Sequence, residues 1–150
     1  MKLMKVYSLV VMAIVFLGIG VDAFSQHQGI KGQVFWLSGN QMPGPHTETA
    51  PTLGIQREVV IFKLTTLQDT NQEDAPFFSD VKTELVTKVQ SKKDGSFKVK
   101  LPPGVYSIFI QETKGLFANT FTANGEINRI EVEPKKYAWI SITVDYEAAF

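Results

Sequence analysis

The residues of this chain best able to do chemistry are gathered between Gln68 and Asp80, in "QDTNQEDAPFFSD". Asp69, Asn71 and Glu73 hold positions 1, 3 and 5 of a calcium-loop spacing, with Asp80 at position 12. Hard oxygen donors at alternating positions are what Ca²⁺ takes. Two positions work against that chemistry: Asp74 stands where the sharp turn calls for Gly, and Asp80 is shorter than the bidentate Glu. The alternative is a solvated acidic loop, and no metal or cofactor is assigned. A catalytic zinc needs three protein ligands and an open position, yet the chain offers only His27 and His46 and no cysteine. Glu48 follows His46 by two residues, so no His-x-x-Glu is formed. Nucleophilic catalysis lacks a Gly-x-Ser-x-Gly turn and a firmly held base. A hydrolase working through Asp69, Glu73 or Asp80 would need two carboxylates at a set separation in a cleft. No residue is assigned as catalytic.

Binding chemistry is better supplied. There are 11 Phe, 4 Tyr and 2 Trp residues. Phe77, Phe78, Phe117 and Phe121 fall in or near loops, where an exposed cluster could stack on sugar rings or dock a protein. The alternative reading has them capping the open ends of a β-sandwich. Trp36, Tyr106 and Trp139 fall within strand patterns, where core packing is expected. Lys88, Lys92, Lys93, Lys98 and Lys100 surround one expected hairpin, "KVQSKKDGSFKVK". They could attract an anionic glycan, or guard an exposed strand edge against aggregation.

The elements that must position these groups are strands. In "SFKVKL", Phe97, Val99 and Leu101 point one way while Ser96, Lys98 and Lys100 point the other. Similar runs rich in β-branched and aromatic residues recur at Gly29–Leu37, Arg57–Thr65, Glu84–Gln90, Gly104–Glu112, Ile127–Glu133 and Tyr137–Tyr146. Seven short strands separated by turn signals predict an all-β, seven-stranded antiparallel sandwich. Asp94-Gly95 and Asn124-Gly125 are tight-turn dipeptides. Pro102-Pro103-Gly104 stops one strand and reverses into the next. Two long connections, Ser38–Gln56 and Gln68–Asp80, are candidates for function or for disorder. Gly115–Phe121 alternates aromatic and small residues, which also suits an irregular eighth strand.

At the N-terminus, Lys2 and Lys5 precede an uncharged, mostly apolar run from Val6 to Val21 and then small residues. This is the layout of a secretory signal peptide over residues 1–25, with residues 26–150 as the one domain. Cleavage after Ala23 or after Ser25 fits, the second being preferred. The run is short for a spanning helix of about 20 residues, so no stable membrane span is expected after cleavage. Losing Lys2, Lys5 and Asp22 from 15 basic and 15 acidic residues leaves a net charge of −1. That balance gives no electrostatic reason to expect nucleic acid as partner. Without cysteine there are no disulfides, so packing and hydrogen bonds alone hold an exported domain together.

The stretch "DGSFKVKLPPGVYSIFIQ" resembles the hallmark of carboxypeptidase-regulatory-like domains: an Asp-Gly turn, a Phe-bearing strand, Leu-Pro-Pro-Gly-x-Tyr and a further apolar strand. The opening "GIKGQVFWLSGNQMPGP" is similar to the family's first strand, with its turn enlarged through Gln56. The resemblance implies a prealbumin (transthyretin-like) Greek-key sandwich and the family's non-catalytic accessory domain rather than its peptidase. It also implies a small exported module of the bacterial envelope, of a kind familiar from Bacteroidetes-like proteomes. Its place would be the periplasm, the outer membrane or the outside of the cell. The expected function is protein interaction or a structural role there. Carbohydrate binding by the loop aromatics is the alternative, so the partner would be an envelope protein or a glycan.

Overall fold

The computed structural model describes residues 27–44 and 52–150. The expected signal peptide, both cleavage positions and His46 lie outside the described residues, as does the middle of the Ser38–Gln56 connection.

The described chain is all-β. Its strands are β1 (Gly29–Asn40), β2 (Leu53–Gly54), β3 (Glu58–Lys63), β4 (Asn71–Asp74), β5 (Phe77–Ser79), β6 (Leu85–Gln90), β7 (Ser96–Lys100), β8 (Gly104–Glu112), β9 (Gly115–Phe117), β10 (Arg129–Val132) and β11 (Tyr137–Ala149). All seven runs read from the sequence form strands. The four additions are short, and β4, β5 and β9 arise from the acidic loop and from "GLFANTF", where a local alternation of only two or three residues carries little signal.

The strands form two sheets. In the smaller, β1 is central, with β11 on one side and β7 then β2 on the other. In the larger, the order is β4-β5-β9-β8-β3-β6, with β10 also on β8. The pairs are antiparallel except β1 with β11, which run parallel from Gly29↔Tyr137 to Asn40↔Ala149. A parallel pair needs no turn between its members, so nothing local in the sequence announces this union of the first and last strands. The lysine-bearing segment is not a paired hairpin either: β6 lies in the large sheet and β7 in the small one. The turn at Asp94-Gly95 therefore carries the chain from one sheet to the other.

Strand alternation sends one side of each sheet into a shared core. Ile30 and Val34 of β1, Ile142 and Val144 of β11 and Phe97 of β7 meet Val59, Ile61, Ile108 and Ile110 of the large sheet. Fully burying side chains of this size is worth about 1.5–3 kcal/mol each, and with no disulfide this is the chief source of stability. The Leu-Pro-Pro-Gly-x-Tyr stretch closes the structure locally: buried Tyr106 donates its hydroxyl to the Pro102 carbonyl at 2.7 Å. Burial pushes the Tyr106 hydroxyl pKa upward, which keeps it a donor.

The two outer faces differ. That of the large sheet carries a second small core, in which Val60, Phe62 and Phe109 pack with Phe78, Ala118 and Ile127. The chain from Ala118 to Asn128 lies over it, pinned where buried Asn128 donates to the Ile108 carbonyl and accepts from the Thr120 amide. The outer face of the small sheet carries lysines and an exposed tryptophan instead.

Candidate functional site

Each residue singled out for chemistry has a definite place. Asp69 accepts bonds from the Thr66 amide at 2.9 Å and hydroxyl at 2.8 Å. Those bonds hold its carboxyl below the usual range and commit it to capping the short 3-10 turn Leu67–Asp69. The Asn71 amide donates to the Asp80 carboxylate at 2.9 Å across the β4–β5 hairpin. The acidic segment is thus a tied hairpin. Among the described residues, no group of three or more His, Asp or Glu side chains converges.

The loop aromatics divide. Phe77, Phe78 and Phe117 are buried. Phe77 and Phe117 pack on Tyr146 with ring centroids 4.9 and 5.9 Å away, and Phe78 packs on Phe109. Their rings are spent on the two cores, with no face left to stack on a sugar. Phe121 alone is exposed, by 43%, and its ring lies 6.1 Å from that of Phe78. The expectation for Trp139 also changes. Its position on β11 points away from the core, and it is 60% exposed. Trp36 is half-buried, and Tyr106 is in the core as expected.

Trp139 belongs to an ordered surface. The register of β1 with β7 and β11 lines up three rows across the outer face of the small sheet. The first is Lys100–Gly29–Tyr137, the second Lys98–Lys31–Trp139 and the third Ser96–Gln33–Ser141. Gly29 has no side chain, which leaves a gap between Lys100 and Tyr137. The Lys98 ammonium reaches to within 4.4 Å of the centre of the Tyr137 ring, a cation–π distance. A shallow recess opens between Lys31, Lys92, Ser96, Lys98 and Trp139. Within these three rows there is no carboxylate. Asp94 at the nearby turn is engaged by the Ser96 amide and hydroxyl, which lowers its carboxyl pKa. The surface is flat, cationic and capped by one free indole.

No protein-family model matches the chain, and no curated protein or solved structure does either. The resemblance to carboxypeptidase-regulatory-like domains rests on the quoted motif residues alone.

A different site closes one end between the sheets. Glu112, with a side chain 5% exposed, accepts from Arg57 Nε at 2.7 Å and from the Tyr146 hydroxyl at 3.0 Å. Burial, then the Glu112 carboxylate, pushes the Tyr146 pKa up to about 12. The Arg57 guanidinium also lies 5.9 Å from the centre of the Trp36 ring. Every buried side-chain polar atom among the described residues has a partner. A lone buried carboxylate can signal catalysis, but one with both oxygens occupied is a tie between the segment entering β3, β8 and β11. Sequence reading missed this site because its members are separated by 55 and 34 residues.

Proposed function

We propose that this chain is an exported, non-catalytic binding module of the carboxypeptidase-regulatory-like type, with a prealbumin Greek-key sandwich. It works in the bacterial envelope by holding a partner against the outer face of its small sheet. The observation that carries the reading is Trp139: a tryptophan 60% exposed on a flat strand face, beside Lys31 and Lys98. Tryptophan is the residue most enriched among binding hot spots, and leaving it in water has no benefit for folding. The non-catalytic part is supported by the local commitments of Asp69, Asp94 and Glu112, each bonded within its own turn or tie. Among the described residues no helix is long and apolar enough to cross a membrane. Release into the periplasm or to the outer surface, after removal of residues 1–25, accords with this reading.

The test is co-sedimentation of the mature chain with a washed envelope fraction of the producing bacterium. Trp139→Ala should weaken capture by about tenfold or more, the loss typical of a hot-spot tryptophan. Phe121→Ala, which removes a ring lying against Phe78 on the outer side of the large sheet, should leave it unchanged. Equal capture of wild type and Trp139→Ala would remove the small sheet from the function.

A further inference from the structure

From the charge and shape of this face we infer that its ligand is an anionic polysaccharide, bearing carboxylate or sulfate groups on its sugar rings. The inference deepens the reading above and rests on it. The Lys98–Lys31–Trp139 row lines up two lysines with one indole, and the Lys98 ammonium leans over Tyr137 in the row below, where Lys100 also stands. Strands lie about 4.8 Å apart and same-face residues about 6.8 Å apart along a strand, so charges and rings repeat on the scale of a sugar unit. A pyranose ring offers an apolar C–H face to an indole, and its acidic substituent offers an anion to a neighbouring ammonium.

The other occupants fit less well. A second copy of the same face would bring Lys31, Lys98 and Lys100 against their own counterparts, and like charges across an interface are costly. Nucleic acid is read by successive stacking rings and by guanidinium forks on phosphate. Within these rows the rings are Trp139 and Tyr137, the face of Tyr137 is already covered by the Lys98 ammonium, and every cation is a lysine with no guanidinium fork. An acidic peptide would gain charge contacts only, since the face has no deep groove for side-chain anchors.

The experiment titrates the mature chain with polygalacturonate, following Trp fluorescence and calorimetric heat. Dextran sulfate, neutral dextran, polyglutamate and single-stranded DNA are run beside it. Polygalacturonate should bind, and dextran should bind at least about tenfold more weakly. Trp139→Ala should lose about tenfold or more. Lys31→Gln/Lys98→Gln should lose about threefold to tenfold, with a smaller dependence on salt, because exposed charges beyond about 10 Å are screened at 0.1 M. Far-UV circular dichroism of each variant should match wild type, since all three side chains are on the surface. Binding of polyglutamate or DNA as tight as that of polygalacturonate would overturn the saccharide assignment. Polygalacturonate binding unaffected by the lysine substitutions, or dextran binding as tight as polygalacturonate, would overturn the anionic part. Absence of polygalacturonate and dextran sulfate binding, with envelope capture still dependent on Trp139, would sink this inference while leaving the proposed function standing.

Discussion

Replacing Arg57 by methionine is expected to destabilise the protein by about 2–4 kcal/mol, and to do so more than Glu112→Gln. The two partners are unequally placed. The Glu112 side chain is 5% exposed and the Arg57 side chain 36% exposed. Removing the guanidinium leaves a buried carboxylate supported only by the Tyr146 hydroxyl, which is the costly way to break a buried pair. Replacing Glu112 by the neutral amide leaves Arg57 free to turn to water, and its cost should be about 1–2 kcal/mol for the lost charge-assisted bond. The double variant should recover much of the loss, because it removes the stranded charge. Urea unfolding of the four proteins measures all of this; a larger cost for Glu112→Gln than for Arg57→Met would show that the carboxylate is not effectively desolvated. The same tie has an alkaline signature. The folded Tyr146 pKa, about 12, lies above the ordinary value of 10.0. The contribution of its bond is therefore complete below pH 10 and is lost as pH rises from there through 12, so stability falls in that window. Tyr146→Phe should flatten that fall.

Gly95→Ala is expected to cost about 2–4 kcal/mol, well beyond its equivalent at Gly125. Both glycines have left-handed backbones, at φ +84° and +75°, which disfavour a side chain by about 1–2 kcal/mol. Only at Gly95 is there also no room. A Cβ there would lie 2.0 Å from the Val34 carbonyl oxygen, whereas at Gly125 it would meet only the Leu67 side chain at 3.6 Å. The Val34 backbone is fixed in turn: its amide donates to the Gly95 carbonyl and its carbonyl accepts from Ile55. Opening this junction would disturb β1, the strand on which the small sheet is built. Thermal unfolding of the two variants compares the effects directly, and equal losses would mean that the turn can shift away from β1 without cost.

That contrast shows how far sequence reading reached. Asp94-Gly95 was legible as a turn because Gly tolerates positive φ, but its close approach to Val34 joins residues 61 positions apart and leaves no local mark. Trp139 alternates with Ala138 and Ile140 on β11, so the pattern alone left either face open to it. Its exposure depends on which side of β11 meets the core, and its lysine neighbours depend on the parallel register with β1. Phe77, Phe78 and Phe117 were open to two readings, exposed contacts or buried caps of the sandwich, and the structure buries them. Their runs are too short to show period two, yet β5 and β9 pair with each other and turn those rings inward. The lysines of "SFKVK" were correctly sent to solvent, while their partner Lys31 belonged to a strand about 67 residues away that only register could bring beside them.

Hydroxyl-radical footprinting of the mature chain, free and bound to the envelope fraction, tests most directly whether the outer face of the small sheet is the contact surface. Side-chain oxidation mapped by mass spectrometry should fall at Trp139 and Tyr137 on binding, while Phe121 and Leu67, exposed elsewhere on the fold, oxidise as before. Protection at Phe121 or Leu67 with Trp139 oxidised equally in both states would contradict the account.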